Sequence, residues 1–227
     1  MHYLFVGFGL GFLIPFIARR FGKILPDTMG AILFHMFHRP HFPKIHNPLQ
    51  TQLLHKYWKK LLLHALIYAF LTTGLFYLAH VYLPAKAFIF ACFFIWIILC
   101  AADTDMRYFL LPDCLTIPLL LIGILYACQT NMLSPSQSIQ GALFSLLITT
   151  LSVFVFEFKQ QTVFGAGDSK MAIALGAWLG IQGLAYCVLA SFFLFVLYSL
   201  TTQKRDGAYG PALGLAALFV FFLLYAK

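Results

Sequence analysis

Two short motifs place carboxylates beside long apolar segments of this 227-residue chain. The first runs from Asp105 to Asp113, with Asp103 just before it, and the second reads Gly165-Ala166-Gly167-Asp168. The chain has only seven Asp and Glu residues, and an ionisable side chain at bilayer depth costs roughly 2.5–3.5 kcal/mol on insertion scales. Two aspartates that are far apart in the sequence indicate a carboxyl pair, which is the minimum for acid/base hydrolysis without a metal.

The composition is that of an integral membrane protein. Hydrophobic residues make up 62% of the chain and charged residues 10%, and the mean hydropathy is +0.88. A soluble domain has about 25% charged residues. The apolar runs are much longer than the ~10 alternating residues of an outer-membrane strand, so helices are favoured over a barrel.

The net charge of +8 does not indicate nucleic-acid binding, because of how it is distributed. Eight of the fifteen Lys and Arg residues fall between Arg19 and Lys60, where they flank apolar segments. Cytoplasmic loops of membrane proteins have this excess of positive charge beside anionic lipid. The expected partner is therefore the lipid bilayer rather than nucleic acid.

The apolar pattern predicts an all-α, polytopic membrane protein with about eight transmembrane helices. We expect a first helix in 1–20, a basic cytoplasmic loop in 21–60 and a core of about seven helices in 61–227. In the alternative interpretation, residues 169–201 form one broken hairpin and not two separate helices. The predicted helices are Tyr3–Arg19, Leu61–Tyr82, Ala85–Ala102, Cys114–Cys128, Ser138–Phe158, Ser169–Ile181, Leu184–Thr201 and Ala208–Ala226.

Charge bias also predicts the orientation. With the loop 21–60 inside, thirteen of the fifteen positive residues lie on the cytoplasmic side, and only Lys86 and Lys227 lie outside. Both aspartate motifs then face the cytoplasm.

Each motif residue also has a purely structural interpretation. Asp113 or Thr116 could cap the helix that follows Pro112, and Asp168 could cap its own helix. Asp105 could be an interfacial loop carboxylate paired with Arg107, and Asp103 is interpreted as interfacial. Lys170 is interpreted as a headgroup contact, with tuning of the Asp168 charge as the alternative.

The sequence contains no metal-binding or cofactor-binding pattern that we recognise. The five cysteines form no CxxC pair, and free cysteine in an apolar segment behaves as a small hydrophobe. The loop histidines match no zinc spacing and are expected to be solvated; they are His35, His38, His41, His46 and His55.

Taken together, the motifs resemble those of the type IV prepilin peptidases, membrane aspartic proteases of the GxGD type. That family has an Asp eight residues before the Asp of a Leu-Pro-Asp, as Asp105 stands before Asp113 here. The segments Gly165–Lys170 and Leu175–Gly180 resemble the family's second motif, and Tyr209-Gly210-Pro211 is similar to its terminal Phe-Gly-Pro.

The resemblance implies a function and a set of site residues. Asp105 and Asp168 would be catalytic. The hydrolytic mechanism of such a pair, rather than the resemblance, leads us to expect that Gly165, Gly167, Asp113 and Lys170 bind substrate. The substrate would be a prepilin or pseudopilin, cut between its basic leader and its apolar helix at the cytoplasmic face of the bacterial inner membrane. No cofactor is implied, and a homo-oligomer is left open.

The N-terminal third departs from the family. The loop 21–60 lacks the two CxxC pairs that hold zinc in many members, and Pro15 stands where many members have Asn. That region is linked to N-methylation of the new N-terminus, so methyltransferase activity is not expected here. A shortened peptidase is the favoured interpretation.

Three other classes of protein are weighed against the peptidase. A catalytically silent relative in pilus or secretion assembly would keep the fold without the chemistry. A transporter would use membrane carboxylates, which are expected near the bilayer midplane. A presenilin-like GxGD protease would have Tyr before its first Asp, whereas Thr104 precedes Asp105.

Overall fold

The computed structural model describes residues 2–21, 48–157, 165–202 and 208–226, all of which lie in helices or their short connections. The helices, numbered in chain order over these residues, are α1 (His2–Phe21), α2 (Pro48–Tyr82), α3 (Ala85–Tyr108), α4 (Asp113–Gln129), α5 (Pro135–Glu157), α6 (Ala166–Thr202) and α7 (Gly210–Tyr225). The predicted all-helical fold is confirmed for this part of the chain.

Four of these helices have the length and apolar composition needed to cross a bilayer. They span His2–Arg20, Tyr57–Tyr82, Ala85–Tyr108 and Ala166–Thr201, and α4 and α7 are shorter apolar helices. Large apolar side chains cover the outside: Phe5 is 77% exposed, Phe193 70% and Leu200 71%. A soluble monomer rarely exposes contiguous apolar surface on this scale. The fold is therefore that of a polytopic membrane protein.

Helix α6 is broken at Gly180, which has φ 66° and ψ −176°. Asp168 in the first arm acts electrostatically on Tyr209, and Ser191 in the second arm hydrogen-bonds the Tyr209 hydroxyl. A straight helix would separate residues 168 and 191 by about 35 Å, so α6 folds back at Gly180. The chain therefore forms the broken hairpin that was one of the two expectations for this segment.

Small residues let α5 pack tightly against the first arm of α6. A Cβ on Gly141 would lie 2.2 Å from the Gly176 carbonyl oxygen, and a Cβ on Gly176 would lie 2.4 Å from that of Gly141. Ser138 Oγ donates to the Ala177 carbonyl over 2.7 Å. These contacts bring the backbones together without apolar side chains between them.

An aromatic cluster fills the core between α3, α4, α6 and α7. Trp178 stacks on Tyr126 with ring centroids 5.0 Å apart and lies 4.6 Å from the Phe94 ring. Its indole N–H donates to the Leu119 carbonyl over 2.8 Å. The cluster thus ties the helix that carries Asp168 to the helices around it.

Candidate active site

Asp105 lies in the last turn of α3 and not in a loop, because the helix ends six residues later than predicted. The apolar pattern predicted that this helix ends at Ala102, where polar residues begin. The chain continues as helix to Tyr108 and ends at Phe109, which adopts the left-handed conformation with φ 53°. Pro112 then opens the next helix. As a result Asp105 is only 6% exposed.

The Asp105 carboxylate has a fixed backbone donor. The Gly210 N–H donates to Asp105 Oδ2 over 2.9 Å, and this hydrogen bond is buried. Gly210 is the first residue of α7, and the first N–H groups of a helix have no partner within the helix. The end of α3 and the start of α7 therefore meet at this carboxylate.

Asp168 lies in the first turn of α6 and interacts electrostatically with Asp105. Its Oδ1 atom is buried and has no hydrogen-bond partner among the described residues. The glycine three residues earlier is close to the carboxyl group, since a Cβ on Gly165 would lie 3.2 Å from Asp168 Oδ2. The structure thus brings the two carboxyls that were predicted to form a pair near each other.

The two motifs also pack against each other, with Gly167 against Leu111. A Cβ on Gly167 would lie 2.8 Å from Leu111 Cβ and 3.4 Å from the Leu111 nitrogen. Leu111 itself is buried. A glycine is needed at position 167 for this close approach, which places the start of α6 beside the turn that leads into α4.

Asp113 and Lys170 form an ion pair, and the expected capping of α4 by Asp113 or Thr116 is wrong. Lys170 Nζ lies 2.6 Å from Asp113 Oδ1 and 2.9 Å from Oδ2. The N-cap of α4 is Pro112, with no side-chain capping bond, so neither Asp113 nor Thr116 caps the helix. Both charged side chains are about half exposed, at 47% and 48%, so the pair lies at the surface of the protein.

Arg107 pairs with Asp103 and not with Asp105. Arg107 Nε donates to both Asp103 oxygens at 3.1 and 3.0 Å, and its Nη2 donates at 3.0 Å. The Tyr68 hydroxyl donates to the same carboxylate over 3.1 Å. Asp103 is 2% exposed, so its carboxylate is buried in the protein, and its position at the membrane interface stays a prediction. This network joins α3 to α2 one turn from the candidate site.

Tyr209 and Gly210 were not proposed as site residues, although both lie at the carboxyl pair. The Tyr209 hydroxyl hydrogen-bonds Ser191. Burial raises the pKa of Tyr209 and the charge of Asp168 acts in the same direction, so the hydroxyl stays protonated at neutral pH. The one signal in the sequence was the short motif Tyr209-Gly210-Pro211, which was used only for the family resemblance.

No cluster of three or more His, Cys, Asp or Glu side chains that could hold a metal occurs in the described ranges. The histidines from His35 to His46 lie outside those ranges, and the side chain of His55 is not described either. The expectation that they are solvated stays a prediction.

Comparison with known proteins agrees with the motifs. A family model for the type IV leader peptidases matches residues 92–200, the segment that contains Asp105, Asp113 and Asp168. Residues 92–200 belong to the type IV leader peptidase family. The predicted resemblance is therefore confirmed for the segment that contains the carboxyl pair.

Several relatives of this segment have the same name, "Prepilin leader peptidase/N-methyltransferase". The chain is 31% identical to the one from Pectobacterium carotovorum subsp. carotovorum over 159 residues, which cover 66% of this chain and 55% of the relative. It is 29% identical to the one from Neisseria gonorrhoeae over 123 residues, with 52% and 42% covered. For Vibrio cholerae the identity is 30% over 124 residues, with 52% and 49% covered.

The chain spans about half the length of these curated relatives. No solved structure matches it. The leader peptidase assignment therefore depends on the sequence match and on the geometry of the carboxyl pair.

Proposed function

We propose that this protein is a membrane aspartic endopeptidase that removes the leader from type IV prepilins or from type II secretion pseudopilins. The proposal is carried by the proximity of Asp105 and Asp168, which come from different helices and lie close enough for the charge of Asp105 to act on the Asp168 carboxyl. The substrate class comes from the name of the relatives, which are prepilin leader peptidases.

The pair provides the two functions that peptide hydrolysis needs. Two carboxyls in one site cannot both ionise readily, so one of them keeps a proton near neutral pH. The ionised carboxyl takes a proton from water as the water attacks the scissile carbonyl, and the protonated carboxyl donates to the carbonyl oxygen. The pair titrates as a unit. No covalent intermediate, metal or cofactor takes part in this mechanism.

The residues around the pair are proposed to bind substrate. Gly165 is exposed, and with Gly167 it would let an extended substrate backbone approach Asp168. The half-exposed Asp113 would attract a basic leader, with Lys170 as the internal cation that the leader displaces. This arrangement also gives Lys170 a role in specificity.

Orientation and location belong to the same proposal. The active site would face the cytoplasm, because thirteen of the fifteen positive residues lie on the cytoplasmic side in this topology. The membrane would be the inner membrane of a bacterium. Methylation of the new N-terminus is not proposed, because Pro15 replaces the family's Asn. A transporter is less well supported, since Asp105 and Asp168 lie in the last and first turns of their helices, whereas the carboxylates of a transporter are expected near the bilayer midplane.

A cleavage assay tests the proposal. The purified chain in lipid is mixed with a prepilin-type substrate that has a basic leader followed by an apolar helix, and the product is sequenced from its N-terminus. We expect one cut at the junction of leader and helix. A matched substrate whose leader lysines are replaced by glutamine should be cut more slowly. If the folded protein cuts neither substrate, the silent-relative interpretation replaces the peptidase.

A further inference from the structure

The segment Tyr209-Gly210 contacts Asp105 and lies near Asp168. Gly210 N–H donates to Asp105 Oδ2 over 2.9 Å. Tyr209, the residue before it, hydrogen-bonds Ser191 and lies within the electrostatic reach of Asp168. One short segment at the start of α7 therefore contacts groups from α3 and from the second arm of α6, and it lies near the first arm.

Position 210 has no room for a side chain. A Cβ there would lie 2.6 Å from Asp105 Oδ2, 2.9 Å from its Cγ and 3.0 Å from its Cβ. Real Cβ atoms essentially never approach other atoms to under 3.0 Å. Any residue larger than glycine must therefore displace either the carboxyl group or the start of α7.

We propose that Gly210 is a positioning residue that holds the Asp105 carboxylate in its reactive orientation. The inference rests on the proposed peptidase function, because it concerns the same carboxyl pair. The donor is a main-chain N–H at a helix start, so it cannot rotate away as a side chain can. A helix N-terminus also favours an anion.

The contact gives the two carboxyls different roles. An N–H donor stabilises the ionised form of the carboxyl that it faces. Asp105 is then the member that takes the proton from water. Asp168, whose buried Oδ1 has no partner among the described residues, is the member that holds a proton for the substrate carbonyl.

Gly210→Ala tests this role, and Gly214→Ala is its matched control. Gly214 lies one turn later on α7, where a Cβ would lie 3.1 Å from Ile98 Cγ2, a methyl group that can shift. We expect Gly210→Ala to lower kcat by about 100-fold, the scale of a 1 Å misplacement, with little change in KM. Gly214→Ala should cleave like the wild type. A wild-type kcat for Gly210→Ala would overturn the inference and leave the proposed function intact.

A second variant removes the donor without adding a Cβ, and it decides the question if Gly210→Ala does not fold. The amide between residues 209 and 210 is replaced by an ester through nonsense suppression, so that an oxygen replaces the N–H. We expect kcat to fall about tenfold or more, the scale of a hydrogen bond to a charged group. The acidic limb of the pH–rate profile should also move to higher pH.

An ester variant with the wild-type rate and pH profile would overturn the positioning role. Absence of cleavage by the wild type and by Gly214→Ala would instead remove the proposed function itself, and with it the basis of this inference. The two failures are therefore distinguishable.

Discussion

Arg107 is paired with Asp103, one helical turn before it, and not with its nearer sequence neighbour Asp105. Three N–O contacts of 3.0–3.1 Å join the two side chains. The pair gives the buried Asp103 a countercharge at the end of α3. Asp105, on the same turn, is left to interact with Gly210 and Asp168.

Removing Arg107 should destabilise the fold strongly. Arg107→Leu leaves Asp103 buried without a cation, and breaking a buried pair in this way costs about 3–5 kcal/mol. Because the Arg107 side chain is 24% exposed, we expect the lower end of that range. The check is thermal unfolding in detergent. The double variant Asp103→Asn with Arg107→Leu should lose less than Arg107→Leu alone. An equal or greater loss in the double variant would show that the pair is not what stabilises this turn.

The exposed Asp113–Lys170 pair should affect substrate binding more than stability. Pairs this exposed contribute about 0–1 kcal/mol, so Asp113→Asn and Lys170→Gln should each unfold within a few degrees of the wild type. Their effects on KM for a basic leader should have opposite signs. Lys170→Gln frees the Asp113 carboxylate and lowers KM, whereas Asp113→Asn removes it and raises KM. Shifts of KM in the same direction would exclude Asp113 as a leader contact.

Adding a methyl group at Gly123 should destabilise the fold, because Gly123 packs directly against Trp178. A Cβ on Gly123 would lie 2.6 Å from Trp178 Cδ1 and 2.7 Å from its Nε1, the nitrogen that bonds the Leu119 carbonyl. Overpacking of this kind costs about 1–3 kcal/mol. The matched control is Gly74→Ala, where no heavy atom lies within 4 Å of the added carbon. We expect a lower melting temperature only for Gly123→Ala, and equal melting temperatures would contradict this packing.

The long apolar helices could be predicted from the sequence because each is a long, continuous run of apolar residues. Their ends were less predictable. The α3 helix runs six residues past Ala102 because no residue there breaks a helix, and the effective stop is Phe109 followed by Pro112. The Asp103–Arg107 pair could have been found, since the two residues have the i,i+4 spacing of helix ion pairs.

Contacts between distant segments could not be derived from spacing. Lys170 reaches Asp113 across 57 residues and Gly210 reaches Asp105 across 105, and both contacts depend on how whole helices pack. The proximity of Asp105 and Asp168 was predicted because carboxylates are rare in this apolar chain. The family resemblance then selected Asp105 over Asp103.

The central claim is that Asp105 and Asp168 act as one hydrolytic pair, and the most direct test is cleavage by Asp105→Asn and Asp168→Asn. The matched control is Ser169→Ala, which removes a hydroxyl that bonds the Gly165 carbonyl over 3.3 Å beside Asp168. All three variants are purified in lipid and compared with the wild type on one prepilin-type substrate. We predict no cleavage by either Asn variant and near wild-type cleavage by Ser169→Ala. Robust cleavage by either folded Asn variant would contradict the account.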